Sequence, residues 1–172
     1  MVEYEYAKAL FSLAPTDKKA EKFIEYFNVL NEAIKENPDF IKIMDSPTID
    51  KKSKKNIITK VCKKFDDLFV DFLYTLIDNN RFKMLSTIYS QYQQIFNEHN
   101  DILNIEVLSD REVSPKQLEQ IKNGYVKRYP FKKIIIKNII DSTISGGIHV
   151  LCNGESIDAS VKNMVTKMKE SL

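Results

Sequence analysis

A chain of 172 residues with 43% hydrophobic and 29% charged side chains can build a real core, which excludes wholesale disorder, and its length suits one domain or two small ones. A formal net charge of +2 gives no general drive toward nucleic acid or acidic lipid. Only four glycines and five prolines are present, which points to long helices with short connections.

Residues 3–14 place Tyr4, Ala7, Leu10, Phe11 and Ala14 on one helical stripe, with Tyr6, Ala9 and Leu13 beside or opposite it. Apolar residues on more than one side of so short a helix imply two buried faces. One faces the core; the other faces a partner or a neighbouring helix of the same bundle. Pro15 ends this helix, and Thr16 or Asp17 caps the next. In 17–36, Phe23, Phe27, Leu30, Ala33 and Ile34 again fall at helical spacing. Pro38 and Pro47 bracket a short piece, and residues 50–65 carry Ile57, Ile58, Val61, Cys62 and Phe65 against a lysine-rich side. Residues 67–79 are apolar almost all round, which predicts a helix central in its bundle, stopped by Asn79-Asn80. Leu85, Ile88, Tyr89, Tyr92, Ile95 and Phe96 mark a last long amphipathic helix. The pattern predicts a six-helix bundle over residues 1–102.

The texture changes near residue 100. Residues 102–108 are enriched in β-forming side chains, Ser114-Pro115 opens a helix that Pro130 stops, and residues 132–140 form a second strand. The stretch 141–161 then reads as a tight corner. Gly146 and Gly147 supply a bend, Ile148, Val150 and Leu151 a buried strand, and Asn153-Gly154 a hairpin turn. Ser156 and Ile157 return the strand, and Asp158 or Ser160 caps a final helix. The expected fold is mainly α: the bundle, then a small α+β domain over 103–172 in the order β-α-β-β-α.

Chemistry is hard to place. There is no Walker loop, GxGxxG, CxxC or HExxH, and Gly146-Gly147 alone is a turn rather than a phosphate cradle. His99 and His149 stand apart, and Asp66-Asp67 suits a helix start. No nucleophile–base–orienter set can be assembled, so no catalytic, cofactor or metal residues are expected. Cys62 and Cys152 read as reduced thiols of a reducing compartment, with one disulfide still compatible. The N-terminus lacks a signal-peptide pattern, and no apolar run approaches the roughly 18 residues of a membrane span. Lys51 to Lys64 holds seven lysines and no acid. A solvated helix face is the ordinary reading; a nucleic-acid surface is the alternative, weakened by the absence of arginine. Residues 1–49 carry six basic and nine acidic groups, net −3, so the bundle is electrically uneven.

Both ends nevertheless resemble one family. Tyr6-Ala7-Lys8-Ala9-Leu10-Phe11, with Ala14 after it, is similar to the opening helix of the F-type ATP synthase delta subunit, the family of the mitochondrial oligomycin-sensitivity-conferring protein. Gly146-Gly147-Ile148 through Ile157-Asp158-Ala159-Ser160-Val161 resembles its C-terminal signature. Asp45-Ser46-Pro47-Thr48-Ile49, Phe72-Leu73 through Asn80-Arg81, and Ile105-Glu106-Val107 fall between in matching order. The chain departs from the family at Ala159, often glycine, at Ser145, often apolar, and near Tyr129-Pro130, where a glycine is common.

The resemblance implies a non-catalytic stator subunit without cofactor, present in one copy in a hetero-oligomeric complex. It implies a bundle that caps the α3β3 catalytic head and binds the α subunit's N-terminal segment. The C-terminal domain would hold the distal, C-terminal end of the membrane-anchored b subunit, the two domains together resisting rotor torque so that rotation drives ATP synthesis. It also implies a peripheral place on the cytoplasmic side of the cell membrane, with no membrane insertion and no nucleic-acid partner. Carried over by position, Tyr6, Ala9, Leu10, Leu13, Leu76, Asn80 and Arg81 are expected to face the head, with core packing the competing role for Leu10 and Leu76.

Overall fold

Capping side chains mark where the helices of the N-terminal region begin. Thr16 accepts the Lys19 N–H at 3.3 Å, Asp50 the Ser53 N–H at 2.9 Å, and Asp66 the Leu68 N–H at 3.1 Å. In the computed structural model, which describes residues 2–130, 132–142, 148–152 and 155–156, six α-helices follow in order. They are α1 (Val2–Ser12), α2 (Asp17–Glu36), α3 (Asp39–Asp45), α4 (Lys51–Val61), α5 (Asp67–Asp78) and α6 (Leu85–His99), with a 3-10 turn at Phe82–Met84 before the last. The chain divides into two compact units, Met1–Phe96 and Asn97–Leu172, the division falling in the last turn of α6.

The first unit packs around aromatic rings. Phe27 of α2 meets Phe69 of α5 edge-on at 4.9 Å and stacks on Tyr89 of α6 at 5.0 Å; Phe23 lies 5.5 Å from Phe69. Such pairs add specific geometry to the burial of large apolar area. Tyr92 is fully buried, and its hydroxyl donates to the Ala20 carbonyl at 3.1 Å; burial pushes this phenol above the usual tyrosine range. Helix α5 is the most densely buried, through Phe69, Phe72, Leu73, Leu76 and Ile77, with Asp67, Asp71 and Asp78 exposed on its remaining side. One residue of α1 differs from its sequence reading. Tyr4 of α1 is 38% exposed rather than buried on the core stripe. Lying three residues before Ala7, it is turned about 60° away from it.

The second unit is built on β1 (Ile102–Ser109). The helix α7 (Pro115–Arg128) leads to β2 (Lys133–Ile140), which pairs parallel with β1, Ile105 opposite Ile136. Strand β3 (Ile148–Cys152) pairs antiparallel on the other side, Val107 opposite Val150, and β4 (Glu155–Ser156) pairs antiparallel with β3, giving the order β2-β1-β3-β4. Two parallel neighbours require a crossover, and α7 supplies it. Its start is a capping box: Ser114 Oγ accepts the Gln117 N–H, and Gln117 Oε1 accepts the Ser114 N–H at 3.1 Å. Ile121 and Tyr125 of α7 join Ile105, Val107 and Val150 in one core. Asn138 of β2 ties down the β1–α7 loop. Its amide donates to the Val107 carbonyl and to Ser109 Oγ, each at 2.8 Å, and its oxygen accepts the Val113 N–H at 2.8 Å. The expected corner residues Gly146, Gly147, Asn153, Gly154, Asp158 and Ser160, and the final helix, lie outside the described residues.

Candidate partner-docking surface

Helix α1 has two apolar faces about 100° apart. Ala7 and Leu10 form the inner one, both 0% exposed, with Phe11 and Ala14 half-buried against the same core. Val2, Tyr6, Ala9 and Leu13, spaced i, i+4, i+7, i+11, form the outer one. Val2 is 39% and Leu13 51% exposed, Ala9 is exposed and Tyr6 half-buried. The spacing thus separates a core face from a face on which apolar side chains stand in water.

The end of α5 borders this outer face. Asn80 takes φ 53°, in the left-handed region that asparagine tolerates better than most residues. This turn lets the Asn80 N–H reach the Ile77 carbonyl at 3.1 Å and the Arg81 N–H the Leu76 carbonyl at 2.8 Å, the paired bonds of a Schellman stop. Arg81 is thereby delivered to Tyr6. Its Nη1 donates to the Tyr6 hydroxyl at 3.0 Å, and its guanidinium lies 5.4 Å from the ring centroid. Asn79 Nδ2 donates to the same hydroxyl at 2.9 Å, and the Tyr6 ring meets Phe72 edge-on at 6.4 Å.

Of the seven residues expected at the head-facing surface, the structure brings Tyr6, Ala9, Leu13 and Arg81 together on or beside the outer face. Asn80 is exposed and acts as the turn that aims Arg81. Leu10 and Leu76 do not reach this surface. Both are 0% exposed, because they lie on the inward sides of α1 and α5. Sequence reasoning passed over Val2, which completes the helical spacing, and Asn79, whose amide is the second donor to Tyr6.

The lysines of α4 are partly absorbed by α5. Lys51 donates to the Asp78 carbonyl at 2.6 Å, and Lys55 pairs with the Asp78 carboxylate at 2.7 Å while lying 5.5 Å from the Tyr74 ring. These cations sit at the carbonyl end of α5, where positive charge is favourable, and Lys54 is buried. Lys51, Lys54 and Lys55 are thus drawn into the bundle, while Lys52, Lys60, Lys63 and Lys64 stay exposed. Cys62 is buried and Cys152 half-buried, and neither forms a disulfide; burial pushes the Cys62 thiol up to about 12. Among the described residues no cluster of three or more His, Cys, Asp or Glu could hold a metal ion, and no helix is long and apolar enough to cross a membrane.

Compared with known proteins, residues 2–172 match the family model described as ATP synthase delta (OSCP) subunit. The chain is 32% identical over 167 residues to the ATP synthase subunit delta of Lactobacillus gasseri, covering 97% of this chain and 92% of that protein. To the subunit delta of Clostridioides difficile it is 31% identical over 169 residues, covering 97% and 93%. Its fold is similar to that of a chain in the cryo-EM structure of the Toxoplasma gondii mitochondrial ATP synthase hexamer, with a TM-score of 0.72, 16% identity, and coverage of 98% of this chain and 97% of that one.

Proposed function

Because the chain belongs to the ATP synthase delta (OSCP) subunit family, and so is a non-catalytic peripheral-stalk subunit of ATP synthase, we propose that its helical unit docks the catalytic head through the outer face of α1. The occupant is the N-terminal segment of an α subunit, folded as an amphipathic helix. The observation that carries this reading is the stripe Val2, Tyr6, Ala9 and Leu13, an apolar helix face left in water beside a fully packed core. Covering such a face gains roughly 25 cal/mol for each Å² of apolar area removed from water, before the cost of association.

The second unit takes the C-terminal end of the b subunit, and the protein sits peripherally on the cytoplasmic side of the membrane in one copy per complex. Family membership supports this assignment, as does exposed apolar surface at Ile139 and Ile140 on β2, one of the two outer strands of the described sheet. A stator that joins a head to a stalk needs two separate attachments and no chemistry of its own. A unit boundary near residue 96 separates the two proposed attachments along the chain.

The test is calorimetric titration of the full chain with a synthetic α N-terminal segment and, separately, with the b C-terminal segment. Saturable binding of each, with neither blocking the other, is expected. No heat with the α segment would remove the head-docking assignment, and competition between the two segments would remove the two-attachment account.

A further inference from the structure

Arg81 is half-buried, yet among the described residues it has no acidic partner; the ion pairs there are Lys19–Asp66, Lys42–Asp39 and Lys55–Asp78. Asp78, three residues before it, is already taken: Lys55 holds its carboxylate and Lys51 its carbonyl. The Arg81 guanidinium spends Nη1 on the Tyr6 hydroxyl, with its carbon 5.4 Å from the ring centroid, and has further N–H groups left for a ligand.

The Tyr6 hydroxyl points the same way. It accepts from Arg81 at 3.0 Å and from Asn79 Nδ2 at 2.9 Å. The Asn79 amide is oriented by its second bond, 3.0 Å to the Thr75 carbonyl, which only accepts, so the nitrogen is the atom that faces Tyr6. With two donors on its oxygen, Tyr6 has its own O–H left to give, and no acceptor among the described residues takes it. A guanidinium and a phenol O–H, both donors, thus stand together inside an apolar stripe.

We propose that the Tyr6–Asn79–Arg81 cluster recognises a carboxylate, one Asp or Glu side chain of the helix that docks along Val2, Ala9 and Leu13. This rests on the reading of α1 as the docking face and adds the chemistry its occupant must carry. A carboxylate offers the acceptor-only, planar oxygens that a guanidinium fork fits best. Docking would cover the apolar flanks, lower the local dielectric and strengthen the charge-assisted bonds. A free inorganic anion is a poorer occupant, because it gains nothing from the flanking stripe and faces a single cation. An all-apolar helix would bury the guanidinium and the O–H unpaired, which is costly, so the cluster also selects against the wrong helix.

The test is a double-mutant cycle by titration calorimetry on the full chain. The protein variants are Arg81→Gln, Arg81→Lys and Tyr6→Phe; in the α N-terminal peptide each Asp or Glu is changed singly to Asn or Gln. Arg81→Gln is expected to weaken binding about tenfold to a hundredfold, and one peptide carboxylate to do the same. Combining the two is expected to cost little more than either alone. Arg81→Lys, which keeps the charge but loses the fork, falls between, and Tyr6→Phe, which keeps the ring, weakens binding several-fold. Melting curves of each variant check the fold, and the peptide changes leave the protein intact. If wild type binds and no peptide carboxylate couples to Arg81, or the bound segment contains no Asp or Glu, this inference is overturned while head docking stands. If wild type does not bind the segment at all, the docking reading falls and takes the inference with it.

Discussion

Leu13, in the turn that closes α1, lies three residues after Leu10, yet Leu10 is 0% and Leu13 51% exposed. Leu10 touches the aromatic core; Leu13 touches water. The inner face of α1 is explained by the fold, since Ala7 and Leu10 pack with residues of α2, α5 and α6. The outer face is explained only at Tyr6, which is tied to α5; the exposed Val2, Ala9 and Leu13 bury little in the isolated chain. A helix with both faces therefore separates stability from assembly residue by residue, and that separation can be attacked from either side.

The largest effect is expected inside. Leu10→Ala should destabilise the helical unit by about 2–5 kcal/mol in chemical denaturation, whereas Leu13→Ala should stay within about 0.5 kcal/mol. Equal losses would mean that Leu13 is a core residue and the two-face description is wrong. Next comes the turn that aims Arg81. Asn80→Val should cost about 1–2 kcal/mol, because a β-branched residue resists positive φ, while Asn80→Gly should be nearly neutral. A smaller loss, about 1 kcal/mol, is expected for Thr16→Ala, which removes the cap of α2. It should leave binding of the α segment unchanged, since it touches only the folded core's scaffold.

The smallest effect is electrostatic. The bond from Lys19, 2.9 Å away, holds the Asp66 carboxyl below its ordinary 3.8, against a partial opposing desolvation. A depressed carboxylate pKa stabilises the fold above the unfolded value and loses that contribution as the pH falls through the folded value. Wild type should therefore melt above Asp66→Asn at pH 6, and the gap should close as the pH is taken below 3.8. A gap that widens on acidification would contradict the assigned cause.

Much of the fold was legible because its cues are local. Prolines and capping residues fix helix ends, and Thr16, Asp66 and Ser114 take the caps that their positions announce. The strand order has no such local cue: a parallel β1–β2 pair across α7 is a long-range choice that spacing alone only permits. The proposed docking surface is half legible. The family resemblance offers Tyr6, Ala9, Leu10 and Leu13 together, with core packing the competing role for Leu10; periodicity cannot say which of two apolar faces a bundle covers, and only packing assigns Leu10 to the core. Leu76 carries the same competing role, and packing likewise places it on the inward side of α5. The Tyr6–Arg81 bond joins residues 75 apart in sequence, and no local pattern encodes it.

The most direct test of the account is to place a charge on the outer face alone. Leu13→Asp in the full chain, titrated with the α N-terminal segment, should abolish measurable binding while the melting temperature stays at the wild-type value. Binding as tight as wild type, with the fold intact, would contradict the claim that this face carries the attachment to the head.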